Sequence, residues 1–440
     1  MIKKRAAFHI LLMSIFILAS CQGNDSNNPQ NSNDTAGNPA NNNEEVSNEN
    51  NDSDQNNSEE NDDHKEIVTK NNELGIKIMD QLAEEDADNN IFISPVSLYM
   101  ALSMVSPGAE NETQSEITNL LGADDTDIST FNEANQSFLE TLNDKDNDDI
   151  QLDIANSLWV DQNFNPKAEY DEIIDQYFHG KIASINRDDP AAADEINDWI
   201  SEQTHNKIDD VVESPLSEDF AAMLVNAVYF NSNWSFPFDE DETKDDIFHL
   251  NDDKEKEVPF MHMDEKLDYV KNDDYEAVKL PYGEDGEMSM SLFLPSKDGD
   301  LASIHQALQN DNIEDIMAEM DQTQGSISLP KFKIEYEEKM NDVLKQLGME
   351  QAFDKELADF PNMIEEDESL YISTIKHSTY IDVNEEGTEA AGSTSVEMET
   401  TSLPVDEPFD LTFNHPFTML ITDEETGAVL FMGDIYDVAP

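Results

Sequence analysis

The chain has 440 residues, with 99 acidic against 24 basic side chains and a net charge of −75. A surface so negative repels nucleic acid and anionic lipid headgroups, which excludes DNA or RNA as a partner. The single cysteine, Cys21, excludes an intramolecular disulfide and a thiol-based metal site.

The apolar share of 38% suffices for a large core. The charge exceeds what solubility requires and implies adaptation to high salt, where the Debye length falls to about 3 Å at 1 M. The N-terminus reads as an export signal. Lys3, Lys4 and Arg5 precede an apolar run over 6–18, too short to span a membrane. Leu18-Ala19-Ser20-Cys21 follows and resembles the bacterial lipobox, in which the cysteine thiol carries a diacylglycerol. Residues 1–20 are therefore expected to be a lipoprotein signal peptide, with Cys21 the lipidation site and the mature protein extracellular, anchored to the cell membrane. Residues 21–65 are rich in Asn, Asp, Glu and Ser with no aromatic side chain, so nothing offsets the entropy of ordering them. They read as a flexible tether with a random-coil span of roughly 35–40 Å.

From Glu66 the composition becomes globular. Ile67, Leu74, Ile78 and Leu82 recur at helical spacing. A short apolar strand follows at 90–93, and Ser94-Pro95 opens a second helix with proline in its first turn. The continuous run AMLVNAVYF at 222–230 reads as a strand buried on both faces. Residues 289–294 and 327–334 read as further strands, and 340–347 as a helix stopped by Gly348. The runs 417–421 and 429–432 flank an acidic turn with a glycine, which is a hairpin pattern. The class is α+β with mixed sheets.

Motifs of enzyme chemistry are missing: no GxSxG, HExxH, Walker loop or GxGxxG occurs. The run from Asp144 to Asp148 looks like a calcium loop, but Asp149 stands where glycine is needed and Ala155 where glutamate is needed. His179, His205, His249, His262, His305, His377 and His415 form no ligand pair at metal spacing and read as surface or satisfied core residues. No metal and no cofactor is expected.

The segment 385–404, EEGTEAAGSTSVEMETTSLP, has the small and polar composition of a loop. Every other residue from Thr388 is nevertheless small or apolar: Thr388, Ala390, Gly392, Thr394, Val396, Met398. The intervening set is polar except for Ala391. Such alternation marks a strand with one face buried. A segment that reads both ways is a candidate bistable element, although a plain surface loop with chance alternation fits the pattern equally well.

The segment IDVNEEGTEAAG at 381–392 resembles the hinge of the serpins, a family of serine protease inhibitors. Three further segments are similar to that family, in its order: NIFISPVSLYMALSMVSPGA at 90–109, LVNAVYFNSNW at 224–234 and FNHPFTMLITDEETGAVLFMGDI at 413–435. The resemblance covers 66–440 and implies one domain there. Its implied fold has three β-sheets, about eight or nine helices and an exposed reactive-centre loop. The hinge maps onto Glu385, Glu386, Gly387, Thr388, Glu389, Ala390, Ala391, Gly392 and Ser393, all small at inward positions as in inhibitory members. The resemblance also implies a polar cluster beneath the central sheet, the shutter, at Ser94, Ser97, Asn226 and His377. Trp234 falls at the mouth where the loop enters, the breach. Family spacing from Glu385 puts the reactive bond at Thr401 and Ser402, and a shift of one or two residues makes Thr400, Met398 or Glu399 the specificity residue.

The implied activity is suicide-substrate inhibition: a protease cuts the loop, and the cut loop inserts into the central sheet before the acyl-enzyme is hydrolysed. A threonine at the cut, with no Arg or Lys in the loop, suits a subtilisin-like or elastase-like protease with a small or shallow pocket. The protein is expected to be a monomer and not an enzyme. A non-inhibitory serpin acting as a cell-surface binding protein is the alternative.

Overall fold

The computed structural model describes residues 53–85, 88–143, 150–251, 254–296, 300–310, 312–366, 369–388 and 407–439, with side chains from 64 onward. Helix α1 (Ser53–Glu85) leads into strand β1 (Ile91–Ile93) and helices α2 (Pro95–Val105), α3 (Asn111–Leu120) and α4 (Ile128–Asn143). Then come β2 (Ile150–Asp161), α5 (Ala168–Phe178), β3 (Lys181–Ile185), α6 (Ala192–Gln203) and β4 (Ala222–Asn233). A run of strands follows: β5 (Lys244–His249), β6 (Glu255–Lys271), β7 (Tyr275–Tyr282) and β8 (Met288–Pro295). Helices α7 (Leu301–Asn310) and α8 (Ile313–Ala318) precede β9 (Asp321–Pro330), β10 (Phe332–Lys339) and α9 (Asn341–Gln346). The chain closes with β11 (Ile372–Val383), β12 (Gly387–Thr388), β13 (Phe409–Thr412), β14 (Phe417–Asp423) and β15 (Val429–Ile435).

The strands form a six-stranded sheet in the order β10-β11-β12-β4-β2-β3 and a nine-stranded network. The network has two arms that share the long strand β6: its first part pairs with β5 and β9, and its end with β7. The α+β class with three sheets therefore holds, two of the sheets being joined through β6. Strand β4 is buried at nearly every position because it is central and covered on both faces. Below it lies α2, buried along its whole length and opened by Ser94, whose hydroxyl accepts from the Ser97 amide, and by Pro95. Above it lies α6, whose Ile196 and Ile200 pack on Trp159, Val225 and Tyr380 of the sheet in a separate small core.

Two sequence boundaries shift. Helix α1 begins at Ser53, inside the stretch read as tether, and His64 of that stretch shares a 2.8 Å hydrogen bond with Ser137. Once Ile67, Leu74, Ile78 and Leu82 are docked, each further residue adds one backbone bond without a new nucleus, so a helix can extend through polar sequence. The strand expected over 327–334 is two strands in different sheets, because Pro330 lacks the N–H that would continue the ladder.

Two further features matter below. Strand β13, after the loop, pairs in parallel with β9, and Phe409 fills the place a side chain at Gly325 would occupy: a Cβ there would lie 2.3 Å from the Phe409 ring. His305 of α7 bridges Asp80 of α1, at 3.1 Å, and Asp434 of β15, at 2.9 Å.

Candidate functional site

Strands β4 and β11 run parallel and pair directly from Ile372 opposite Ala222 up to Thr379 opposite Val228. Above that point they part, and β12 sits between them. Thr388 pairs with Val383 on one side and with Ser232 on the other, and Gly387 pairs with Asn233. The chain reaches this position through a tight turn: the Glu386 amide donates to Asn384 Oδ1 at 3.0 Å, and the Asn384 amide donates to the Gly387 carbonyl at 3.0 Å. Gly387 allows the close approach, since a Cβ there would lie 2.1 Å from the Ser232 carbonyl oxygen.

Side chains hold the mouth of the parting. The Trp234 indole donates to the Asn384 carbonyl at 2.9 Å, and its amide donates to the Glu386 carbonyl at 2.9 Å. Its ring stacks on Tyr282 with centroids 4.2 Å apart. The Tyr282 hydroxyl shares a 2.6 Å hydrogen bond with Thr388, which is fully buried. Burial pushes the Tyr282 phenol far above its ordinary range, so it stays neutral. The Glu385 carboxylate receives Lys331 at 2.6 Å and the Thr243 hydroxyl at 2.8 Å. Burial opposes its charge, but these two donors outweigh that and hold its pKa below the ordinary value.

A second polar cluster lies lower, where β4 and β11 are still joined. The Ser94 amide donates to His377 Nε2 at 3.0 Å, so that nitrogen carries no proton and Nδ1–H donates to Asn226 Oδ1. The Asn226 amide donates to the Ser97 carbonyl at 3.0 Å, to the Ser97 hydroxyl, and to Asn156 Oδ1 at 2.7 Å. Burial drives the His377 pKa down to about 3. His377 and Asn226 are register partners across the joint, so their hydrogen bond spans the two strands that would have to separate.

The structure thus brings Ser94, Ser97, Asn226 and His377 together, and separately Trp234, Glu385, Glu386, Gly387 and Thr388. Glu389, Ala390, Ala391, Gly392, Ser393, Thr401, Ser402 and Cys21 lie outside the described residues. Sequence reasoning missed Asn156, Tyr282, Thr243 and Lys331. Lys331 carried a signal: a cation beside a strand-ending proline in a chain with 24 cations is a scarce charge that calls for a partner. Among the described residues, no group of three or more His, Cys, Asp or Glu side chains is placed to hold a metal ion.

A family model described as Serpin (serine protease inhibitor) matches residues 69–438. A serpin-like protein of Thermococcus kodakarensis is 35% identical over 373 residues, covering 84% of this chain and 85% of its own length. Intracellular coagulation inhibitor 2 of Tachypleus tridentatus is 31% identical over 382 residues, covering 85% and 92%. Among solved structures, the thermophilic serpin tengpin in its native state superposes with a TM-score of 0.77 at 29% identity, over 84% of this chain and 94% of that one. Human thyroxine-binding globulin complexed with its hormone superposes with a TM-score of 0.79 at 25% identity, over 86% and 100%.

Proposed function

The chain belongs to the serpin family, and from that premise we propose that it is a suicide-substrate inhibitor of extracellular serine proteases. The observation that carries this reading is the register of β12. Continuing its pairing down both neighbours sets Gly392 between Thr379 and Val228, and Thr394 between His377 and Asn226. Those are the pairs that β4 and β11 already make directly, so one added strand fits both edges without a slip. On the same register Met398 meets Ala222, the first residue of β4, so the alternating run that begins at Thr388 ends with the slot.

On this reading, a protease cuts at Thr401–Ser402 and is held as an acyl-enzyme. The freed strand then enters the slot, each new main-chain bond contributing on the order of 1 kcal/mol. The attached protease is carried along and its active site distorted before water can release it. Thr388, Ala390 and Gly392 face inward and are small, so nothing bulky must be displaced. The absence of Arg and Lys between 385 and 404 favours subtilisin-like or elastase-like targets. Cys21 carries the lipid that holds the protein at the outer face of the cell membrane, and the acidity fits a salt-rich medium. Cys21→Ser should abolish lipid labelling and membrane retention; unchanged membrane association would remove the anchor.

The test is to mix the chain with subtilisin-like and elastase-like proteases in high salt and run a denaturing gel. The expected result is an SDS-stable band at the summed mass. The likeness to thyroxine-binding globulin keeps a second reading, a non-inhibitory binding protein. Cleavage with no complex, and no gain in heat resistance, would support it.

A further inference from the structure

The slot has a floor. Strands β4 and β11 pair with one constant offset from Val228 opposite Thr379 down to Met223 opposite Thr374. There the register slips, and the next pair is Ala222 with Ile372. Ser373 is thus one residue too many on β11, a β-bulge that stays out of the ladder and ends regular pairing. An added strand on the β12 register keeps the constant offset, so it matches both edges as far as Glu397, between Met223 and Thr374. At Met398 it still meets Ala222, but on its other edge it meets the bulge.

One side chain holds that bulge. Strand β10 runs beside β11 only as far as Lys339, opposite Lys376, and the Met340 amide adds a last bond to the Ile375 carbonyl at 3.0 Å. The chain then turns into α9, and Asn341, the first residue of that helix, stands in for the missing strand. Its Oδ1 accepts from the Ile375 amide at 3.0 Å, and its Nδ2 donates to the Ser373 carbonyl at 3.1 Å. Asn341 is 4% exposed, so removing its amide leaves two backbone groups short of partners where water reaches poorly. The Ser373 hydroxyl faces the other way, accepting from the Ala221 amide at 2.8 Å and donating to the Asp219 carbonyl at 3.1 Å. Those two bonds cross to the chain entering β4 and are given up when a strand comes between β4 and β11. The Asn341 bonds lie on the far edge of β11 and travel with it.

We propose that the bulge at Ser373 is the floor of the insertion slot, and that Asn341 is a positioning residue that keeps the floor firm and so fixes how far a trapped protease is drawn. The inference rests on the inhibitor reading above and adds what keeps the trap shut. With the two-sided ladder ending at Glu397, the link to the acyl bond at Thr401 spans at most about 14 Å. A link so short presses the protease against the base of the sheet and keeps its active site distorted. If the lowest rungs fray, each residue released adds about 3.3 Å of slack. The active site then recovers, and water frees the enzyme. Asn341 therefore governs the lifetime of the complex, whereas entry of the loop is decided at the opposite end of the slot.

The test uses the full chain in high salt and the variants Asn341→Ala and Ser373→Ala. Purified complex of Asn341→Ala should release active protease about tenfold faster than wild type, the scale of one lost buried hydrogen bond. The moles of inhibitor consumed per mole of protease trapped should stay as in wild type. Ser373→Ala, which loses only bonds that insertion breaks anyway, should release protease at the wild-type rate. In the nicked wild-type chain, hydrogen exchange should show amides protected through Glu397 and open at Thr400 and Thr401. Equal lifetimes for Asn341→Ala and wild type overturn the inference, as does protection that runs unbroken to Thr401. Should Asn341→Ala fail to fold, the exchange pattern of the nicked wild type decides alone. A wild-type chain that forms no stable complex and gains no heat resistance on nicking overturns the inhibitor reading, and the floor with it.

Discussion

His377 accepts from the Ser94 amide only while its ring is neutral, and burial keeps it neutral down to a pKa of about 3. In the unfolded chain an ordinary histidine takes up its proton near pH 6.5. Between those values the unfolded state binds more protons, so this residue's contribution is complete above about pH 6.5 and declines as pH falls, by up to about 1.4 kcal/mol per unit. Melting curves from pH 7 to 4 should show that slope, and His377→Gln should flatten it. His305 works in the other direction. Burial opposes its charge, but Asp434 and Asp80 outweigh burial and raise its pKa to about 10. Its contribution is complete below the ordinary value and is lost as pH rises through about 10. Thr388 is the third informative residue, fully buried against Tyr282. Thr388→Arg places a charge there at a cost of several kcal/mol. The expected outcome is a chain that proteases cut normally without being trapped; full complex formation would show that this residue does not face inward.

At the scale of elements, the two-residue strand β12 is the feature on which the slot depends, and Gly387 is what lets it sit there. Gly387→Ala drives a methyl into the Ser232 carbonyl and should unseat β12, exposing Trp234. A red shift in its emission, together with faster cleavage of the loosened loop, would report this. Much of this architecture was legible in the chain. The apolar run at 222–230 announced a doubly covered strand, whereas the period-2 alternation that starts at Thr388 lies, past that residue, outside the described residues. Contacts that join distant segments were not legible. Lys331 meets Glu385 across 54 residues. Asn156 falls in phase with Ile150, Leu152, Ile154 and Leu158 of its strand, so its burial could be read locally, but its partner Asn226 could not. Local pattern reports which face of a strand is buried, whereas partner choice depends on how sheets stack.

For the whole molecule the governing quantity is the net charge of −75. Several cations of the described residues are committed to local pairs such as Lys331–Glu385, Lys279–Glu424 and Lys256–Asp437, and with 99 acidic side chains against 24 basic ones the acidic excess is left to screening by salt. Melting temperature should therefore climb steeply with KCl up to about 1 M and flatten once the Debye length nears about 3 Å. A flat profile at low salt would mean that the excess is too widely spaced to matter.

Strand β9 has a part that reaches beyond its own sheet. Phe409, just past the loop, is seated at Gly325, and Lys331, just past the strand's other end, grips Glu385. Both ends of the loop are thus tied to one stave about 20 Å long, like the cord of an unstrung bow. Seating the segment through Met398 carries the chain about 33 Å down the slot. The eleven steps from Met398 to Phe409 stretch to about 40 Å at most, against about 33 Å of climb and the crossing of the stave besides. The cord has almost no slack. Severing it removes that constraint at once, so an attacker's own cut is the release on which this spring waits.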